Sequence, residues 1–219
     1  MAESTTGTTL ALRGAKNIQY TAAMAYPTTL VFYSTSGLRT HHWQDDSFIN
    51  WLYYVLSRTN VPQTITISYG WVENITPPDH AIYVCNLLAE LGVRGASVLV
   101  ASGDDGVGDG KCLVDNGSGI KYVRFLPTFP STCTCGVFFS PARSTQRLAL
   151  IAHHTVHAGP WVTSVGGTTG FNPEVAAGLS GGGFSDYFPR ERYQKYAVPI
   201  YLQFLGNQYY GLYKSVRYP

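Results

Sequence analysis

Two triplets set a hydroxyl beside a glycine at the end of an apolar run. Ser68-Tyr69-Gly70 closes V-P-Q-T-I-T-I, and Ser102-Gly103-Asp104 closes G-A-S-V-L-V-A, the second adding a carboxyl group. A hydroxyl and a carboxyl group can bond the polar groups of a ligand, and glycine lets a substrate backbone approach closely. As residues alone, the triplets also fit plain strand-to-loop turns, with Asp104 capping local N–H groups. Asp105 and Asp109 read as solvated loop carboxylates. Two carboxylates four residues apart on a helix would share one face. No Glu has an Asp four residues later: positions 7, 77, 94, 178 and 195 are Gly, Pro, Arg, Gly and Lys. His153 and His157 could share a helix face, but no Glu completes an H-E-x-x-H pattern, so a zinc site is a poor reading. His41-His42 reads as exposed loop. Asp104, Asp105, Asp109 and Asp115 do not fit the spacing of an EF-hand. Gly106–Gly110 lacks the G-x-G-x-x-G spacing of a dinucleotide loop, and no G-x-S-x-G elbow occurs.

These residues need elements to hold them. Thr29–Tyr33, Thr64–Tyr69 and Ala96–Ala101 are short β-branched apolar runs. Runs of this kind suit strands covered on both faces, as in a parallel sheet. Helical spacing appears over Asp46–Leu56, through Phe48, Leu52, Val55 and Leu56. It appears again over Asp79–Leu91, through Ile82, Cys85, Leu88 and Leu91, with Gly92 as the stop. Strand and helix alternate, which predicts an α/β fold: a mostly parallel sheet flanked by helices. Ligands of such sheets lie at the carboxyl ends of the strands, where both triplets fall.

Composition narrows the function classes. The 219 residues suffice for one large domain or two small ones, and 45% hydrophobic with 13% charged residues suits a globular chain. Sixteen Tyr and ten Phe make it aromatic-rich. A net charge of +2 without a basic run argues against nucleic acid as the main partner. The longest apolar runs are too short to span a membrane. Of the four cysteines, Cys85 fits a helical apolar pattern as a small buried hydrophobe. Asn74-Ile75-Thr76 and Asn116-Gly117-Ser118 are glycosylation triplets, weak support for secretion, and Met1–Thr9 has no leader pattern.

Three segments in order carry a resemblance: V-P-Q-T-I-T-I-S-Y-G, G-A-S-V-L-V-A-S-G-D-D-G-V-G-D-G, and W-V-T-S-V-G-G-T-T with L-S-G-G-G-F. Together they resemble the sedolisin family of serine-carboxyl peptidases, most closely its fungal tripeptidyl-peptidase-like members, over roughly 17–133 and 160–219. The resemblance implies a subtilisin-like fold and acid proteolysis. It implies a Ser nucleophile in S-G-T-S, a Glu base with an Asp four residues on, and an Asp in S-G-D that donates to the oxyanion. Asp104 matches the oxyanion Asp. The base position holds Arg13 and its partner position Asn17, where relatives read E-A-N-L-D-I-Q-Y and this chain reads R-G-A-K-N-I-Q-Y. Arginine accepts no proton in any accessible pH range.

S-G-T-S does not occur, and Leu202–Pro219 resembles the stretch just upstream of the family's nucleophile. The family's calcium site would lie beyond Pro219, so no cofactor is expected within this chain. The resemblance further implies a Cys112–Cys133 disulfide, peptide substrates or ligands held by Ser68, Tyr69, Gly70, Ser102 and Gly103, and an extracellular location. Thr134–Gly159 breaks the family pattern and reads as an insertion, of the kind a retained intron leaves, within one peptidase-like domain over 1–219. The expectation is a serine-type peptidase homologue that is itself inactive. Its rivals are a non-catalytic peptide-binding protein that keeps the cleft, and a chain whose uncovered apolar surface drives aggregation.

Overall fold

The computed structural model describes residues 8–34, 47–108, 113–115, 121–133, 161–210 and 212, in two compact units, Met1–Val61 and Pro62–Pro219. The first unit holds helices α1 (Thr8–Ala25) and α2 (Ser47–Leu56). The α2 boundaries follow the apolar spacing of the sequence, and Phe48, Leu52 and Val55 are buried as that spacing requires. Tyr33 sets its ring edge-on to Trp51 and Tyr54, with centroids 6.4 and 6.1 Å away. Thr29–Tyr33, expected as a strand, is irregular instead, with Leu30, Val31 and Phe32 exposed. A β-branched run becomes a strand only where a neighbour takes up its N–H and C=O groups, and this one forms no ladder.

The second unit runs β1 (Thr64–Ile67), β2 (Trp71–Val72), α3 (Pro78–Val93), β3 (Ser97–Ala101), β4 (Leu113–Asp115), β5 (Lys121–Val123), β6 (Thr128–Phe129), β7 (Thr163–Val165), β8 (Thr168–Thr169), β9 (Val175–Ala176) and α4 (Ala197–Leu205). Its centre is a parallel sheet in the order β1-β3-β7, pairing Ile65 with Val98 and Val100 with Ser164. The expected α/β class is therefore present, with α3 packed on β3. Among the described residues, coverage of both strand faces is not. T-I-T-I in β1 exposes Thr64 and Thr66 and buries Ile65 and Ile67, and β3 buries Val98 and Val100. The period of two in T-I-T-I already contains this, because successive side chains leave opposite faces of a pleated strand. Antiparallel pairs β2-β6, β4-β5 and β8-β9 complete the unit. A strand, β4, thus follows the glycine-rich loop, where a dinucleotide site would need a helix.

Helix α3 begins with Pro at its first position, where no N–H bond is lost, and carries Asp79 in its first turn. It buries Val84, Leu87, Leu88 and Leu91, each large side chain contributing about 1.5–3 kcal/mol. Gly92, expected as the stop, lies inside the helix, which runs to Val93 with Arg94 as its cap residue. The stop is Gly95, with φ of 88°. Its N–H bonds Gly92 O at 2.9 Å, while the Ala96 N–H bonds Leu91 O at 3.1 Å. This is the left-handed cap that satisfies the last carbonyl groups.

The disulfide corrects the expected pairing. Cys133 is bonded to Cys85, not to Cys112, with Cα atoms 5.0 Å apart. Both half-cystines are fully buried, so Cys85 is not merely a small hydrophobe. The register of α3 brings Cys85 to the turn in which the Cys133 N–H bonds Pro130 O, within bridging range. Cys112, Asp109, the histidines His41, His42, His153, His154 and His157, and the insertion 134–159 lie outside the described residues. No described helix is long and apolar enough to cross a membrane.

Candidate functional site

The carboxyl ends of β1, β3 and β7 lead into Ser68–Gly70, Ser102–Asp104 and Gly166–Gly167. The Ser102 N–H bonds Val165 O at 2.9 Å, which carries the β3–β7 ladder one residue past the strand and sets the direction of the turn. Thr128 of β6 lies between the two sequence triplets, its methyl group against Gly70 and its hydroxyl against Gly103. Gly103 has φ of 112°, and a β-carbon there would stand 2.6 Å from Thr128 Oγ1, so no other residue suits the position. Ser102, Gly103 and Gly70 are thus brought together. Ser68 and Tyr69 are exposed, and the Tyr69 ring stands edge-on to Trp71 at 5.4 Å.

A glycine-rich segment locks the far side of the turn. The Gly181 N–H bonds Gly103 O at 3.3 Å, and the Gly106 N–H bonds Leu179 O at 2.8 Å. The Ser180 hydroxyl accepts from the Gly167 N–H at 2.7 Å and donates to Gly167 O at 2.8 Å, joining this segment to the end of β7. Asp104 and Asp105 are exposed. Ser102 points inward: it is 7% exposed, and its hydroxyl has no hydrogen-bond partner among the described residues. It lines a cavity of about 510 Å³. Pro127, Phe184, Phe188 and Leu202 supply apolar walls, while Ser131 and Ser185 add hydroxyls. Tyr193 also lines it, and burial, then the charge of Glu191, pushes its phenol above the ordinary value.

Sequence reasoning missed a group beside the cavity. Glu73 is fully buried directly after β2. Its Oε1 accepts from the Ser185 hydroxyl at 2.6 Å and its Oε2 from the Asp186 N–H at 2.8 Å. Burial pushes its carboxyl group above the ordinary range against these bonds, and the nearby Asp186 charge adds to the rise. Asp186 is ion-paired with Arg124 at 2.8 Å. Burial and the charges of Glu73 and Asp186 raise the Tyr187 phenol as well. The one available signal was an acidic residue set between Trp71-Val72 and Ile75, because a carboxylate in an apolar setting needs partners.

Arg13 and Asn17 lie one turn apart in α1, in the other unit, and the Asn17 side chain is exposed. Residues at this spacing share one helix face. Among the described residues no cluster of three or more His, Cys, Asp or Glu could hold a metal ion.

No family model matches the chain. The chain is 38% identical over 195 residues to a probable tripeptidyl-peptidase SED3 of Trichophyton verrucosum, covering 84% of this chain and 28% of that protein. It is 38% identical over 161 residues to the tripeptidyl-peptidase sed4 of Aspergillus fumigatus, covering 73% of this chain and 22% of that protein. Among solved structures it is similar to a Pseudomonas sedolisin (serine-carboxyl proteinase) complexed with two molecules of pseudo-iodotyrostatin. That match has a TM-score of 0.40 and 20% identity, over 68% of this chain and 36% of the other. The chain thus spans less than a third of the length of the curated relatives it matches. Aligned over most of its own length with fungal tripeptidyl-peptidases, the chain belongs to the sedolisin family.

Proposed function

We propose that this chain carries the peptide-holding frame of a serine-carboxyl peptidase and, as a 219-residue protein, does not hydrolyse peptides by the family's route. The observation that carries this reading is the pair Arg13 and Asn17, at helical spacing where a Glu base and its Asp partner are expected. A guanidinium cannot take a proton from a hydroxyl. Losing one member of a catalytic unit costs orders of magnitude in rate, and the members act together. Asp104, in the triplet that resembles the family's oxyanion segment, would then have no activated hydroxyl to assist.

A second reading has its own support. Ser102 presents a buried, unpartnered hydroxyl to a cavity at the carboxyl ends of parallel strands. A buried polar group without a partner is costly, and a ligand that supplies one recovers that cost. A peptide fits, with an apolar side chain against Phe184, Phe188 and Leu202 and a main-chain carbonyl accepting from Ser102 Oγ. The Cys85–Cys133 disulfide supports an extracellular, oxidising setting.

One experiment tests both readings. The 219-residue protein is titrated with fluorescent apolar peptides at about pH 4, near the natural range of carboxylate chemistry, and products are followed by chromatography. The expected outcome is saturable binding, weakened in the Ser102→Ala variant, with no cleavage. Cleavage above the background rate would overturn the first reading, and unsaturable binding the second.

A further inference from the structure

Glu73 reaches across to the wall of the cavity rather than into it. The Ser185 hydroxyl that donates to Glu73 Oε1 also accepts from the Tyr187 N–H at 3.1 Å and the Phe188 N–H at 2.9 Å. The Asp186 N–H is held by Oε2. One carboxyl group therefore organises the three consecutive amides of 186–188. A second tie runs parallel to it: the Tyr187 hydroxyl donates to Thr76 O at 2.7 Å, and Trp71 Nε1 donates to Thr76 Oγ1 at 2.5 Å. Ser185 and Phe188 line the cavity, so the segment from 185 to 188 is its wall and the turn at 73–76 is its footing.

The footing is set in a buried site. The charged and titratable groups facing Glu73 are Asp186, whose charge is shared with Arg124, and the Tyr187 phenol. Among the described residues Glu73 forms no ion pair of its own. The Ser185 and Thr132 hydroxyls and the Asp186 N–H favour the ionised carboxylate, and burial acts against all three, toward neutral Glu73. The Ser185 hydroxyl and the Asp186 N–H still have carboxyl oxygens to bond in that state. The neutral acid keeps these two bonds, whereas the ionised form leaves a negative charge out of water beside another one.

We propose that Glu73 is a proton-operated positioning residue: neutral, it seats the 185–188 wall of the cavity, and ionised, it releases that wall into solvent. The sign follows from linkage. Seated Glu73 has its acidity weakened by burial, while in an opened wall it titrates near the ordinary value of about 4.3. Below that value both states hold the proton and the wall is fully seated. As pH rises toward the raised value, the open state has lost a proton that the seated state keeps. Opening then grows by up to about tenfold per pH unit, and levels off above the raised value.

Amide exchange of the 185–188 segment, divided by the intrinsic rate at each pH, reads the opening directly in the 219-residue protein, with thermal melting run in parallel from pH 4 to pH 8. Protection and melting temperature are expected to fall together as pH rises. Glu73→Gln, which mimics the neutral acid and cannot ionise, should abolish the fall in protection. Ser185→Ala removes a donor that favours the ionised form, and should extend the fall to higher pH. Protection independent of pH in the unaltered protein, or the same fall in Glu73→Gln, overturns the proposal. Should Glu73→Gln fail to fold, a fall in Ser185→Ala that ends at the same or a lower pH overturns it alone.

Discussion

A β-carbon at position 181 would collide with the Ser102 carbonyl oxygen and stand 2.7 Å from its carbon. Both are backbone atoms, so no side chain can swing away to make room. Gly181→Ala is expected to lose about 3 kcal/mol, the upper end for overpacking, measured as a lower midpoint in urea unfolding. Gly178 has open space around it, and Gly178→Ala should stay within about 0.5 kcal/mol of the parent. Equal losses at both positions would mean that the glycine segment does not grip the Ser102 turn. The sequence marked Ser102, Gly103 and Gly70 as ligand-facing, and they do converge, but through Thr128, which no pattern singled out. Glu73 was seen only as a glutamate without an aspartate four residues on. Its part depends on Ser185 and Asp186, more than a hundred residues away.

At the level of elements, α3 carries the clearest legible signal and the largest correction. Its apolar spacing and its position before β3 follow from local sequence, and both are found. Its disulfide partner does not, because pairing of cysteines depends on which Cα atoms approach within bridging range. The Cys85–Cys133 bond closes 48 residues of chain, and loop-closure entropy assigns about 4 kcal/mol to a bridge of that span. Replacing both half-cystines with serine should lower stability by that order, read from denaturant midpoints under non-reducing conditions. A loss below about 1 kcal/mol would show that the denatured chain already holds these positions close. The β1 and β3 runs were legible as parallel strands, while their one-sided burial shows in the alternation of T-I-T-I.

Among its described residues the second unit leaves apolar side chains exposed. On α4, Ile200 and Phe204 are 65% and 88% exposed and stand one turn apart, in one stripe. Exposed apolar stripes favour association, so the purified chain should scatter light increasingly at micromolar concentrations. The double variant Ile200→Lys with Phe204→Lys should reduce that scattering while shifting stability by no more than about 0.5 kcal/mol per site. A parent chain that stays monodisperse under the same conditions would count against this stripe as the cause. Local order in the sequence sufficed for the α/β class, the helix α3, the parallel strands and the sedolisin motifs, because period, caps and short motifs act between residues near in the chain. Only the tertiary structure decided which cysteine bonds Cys133, which threonine sits between the two glycine turns, and where a buried carboxyl group finds its donors. Those outcomes rest on contacts between distant segments, and the chain's local pattern carries no record of them until it has folded.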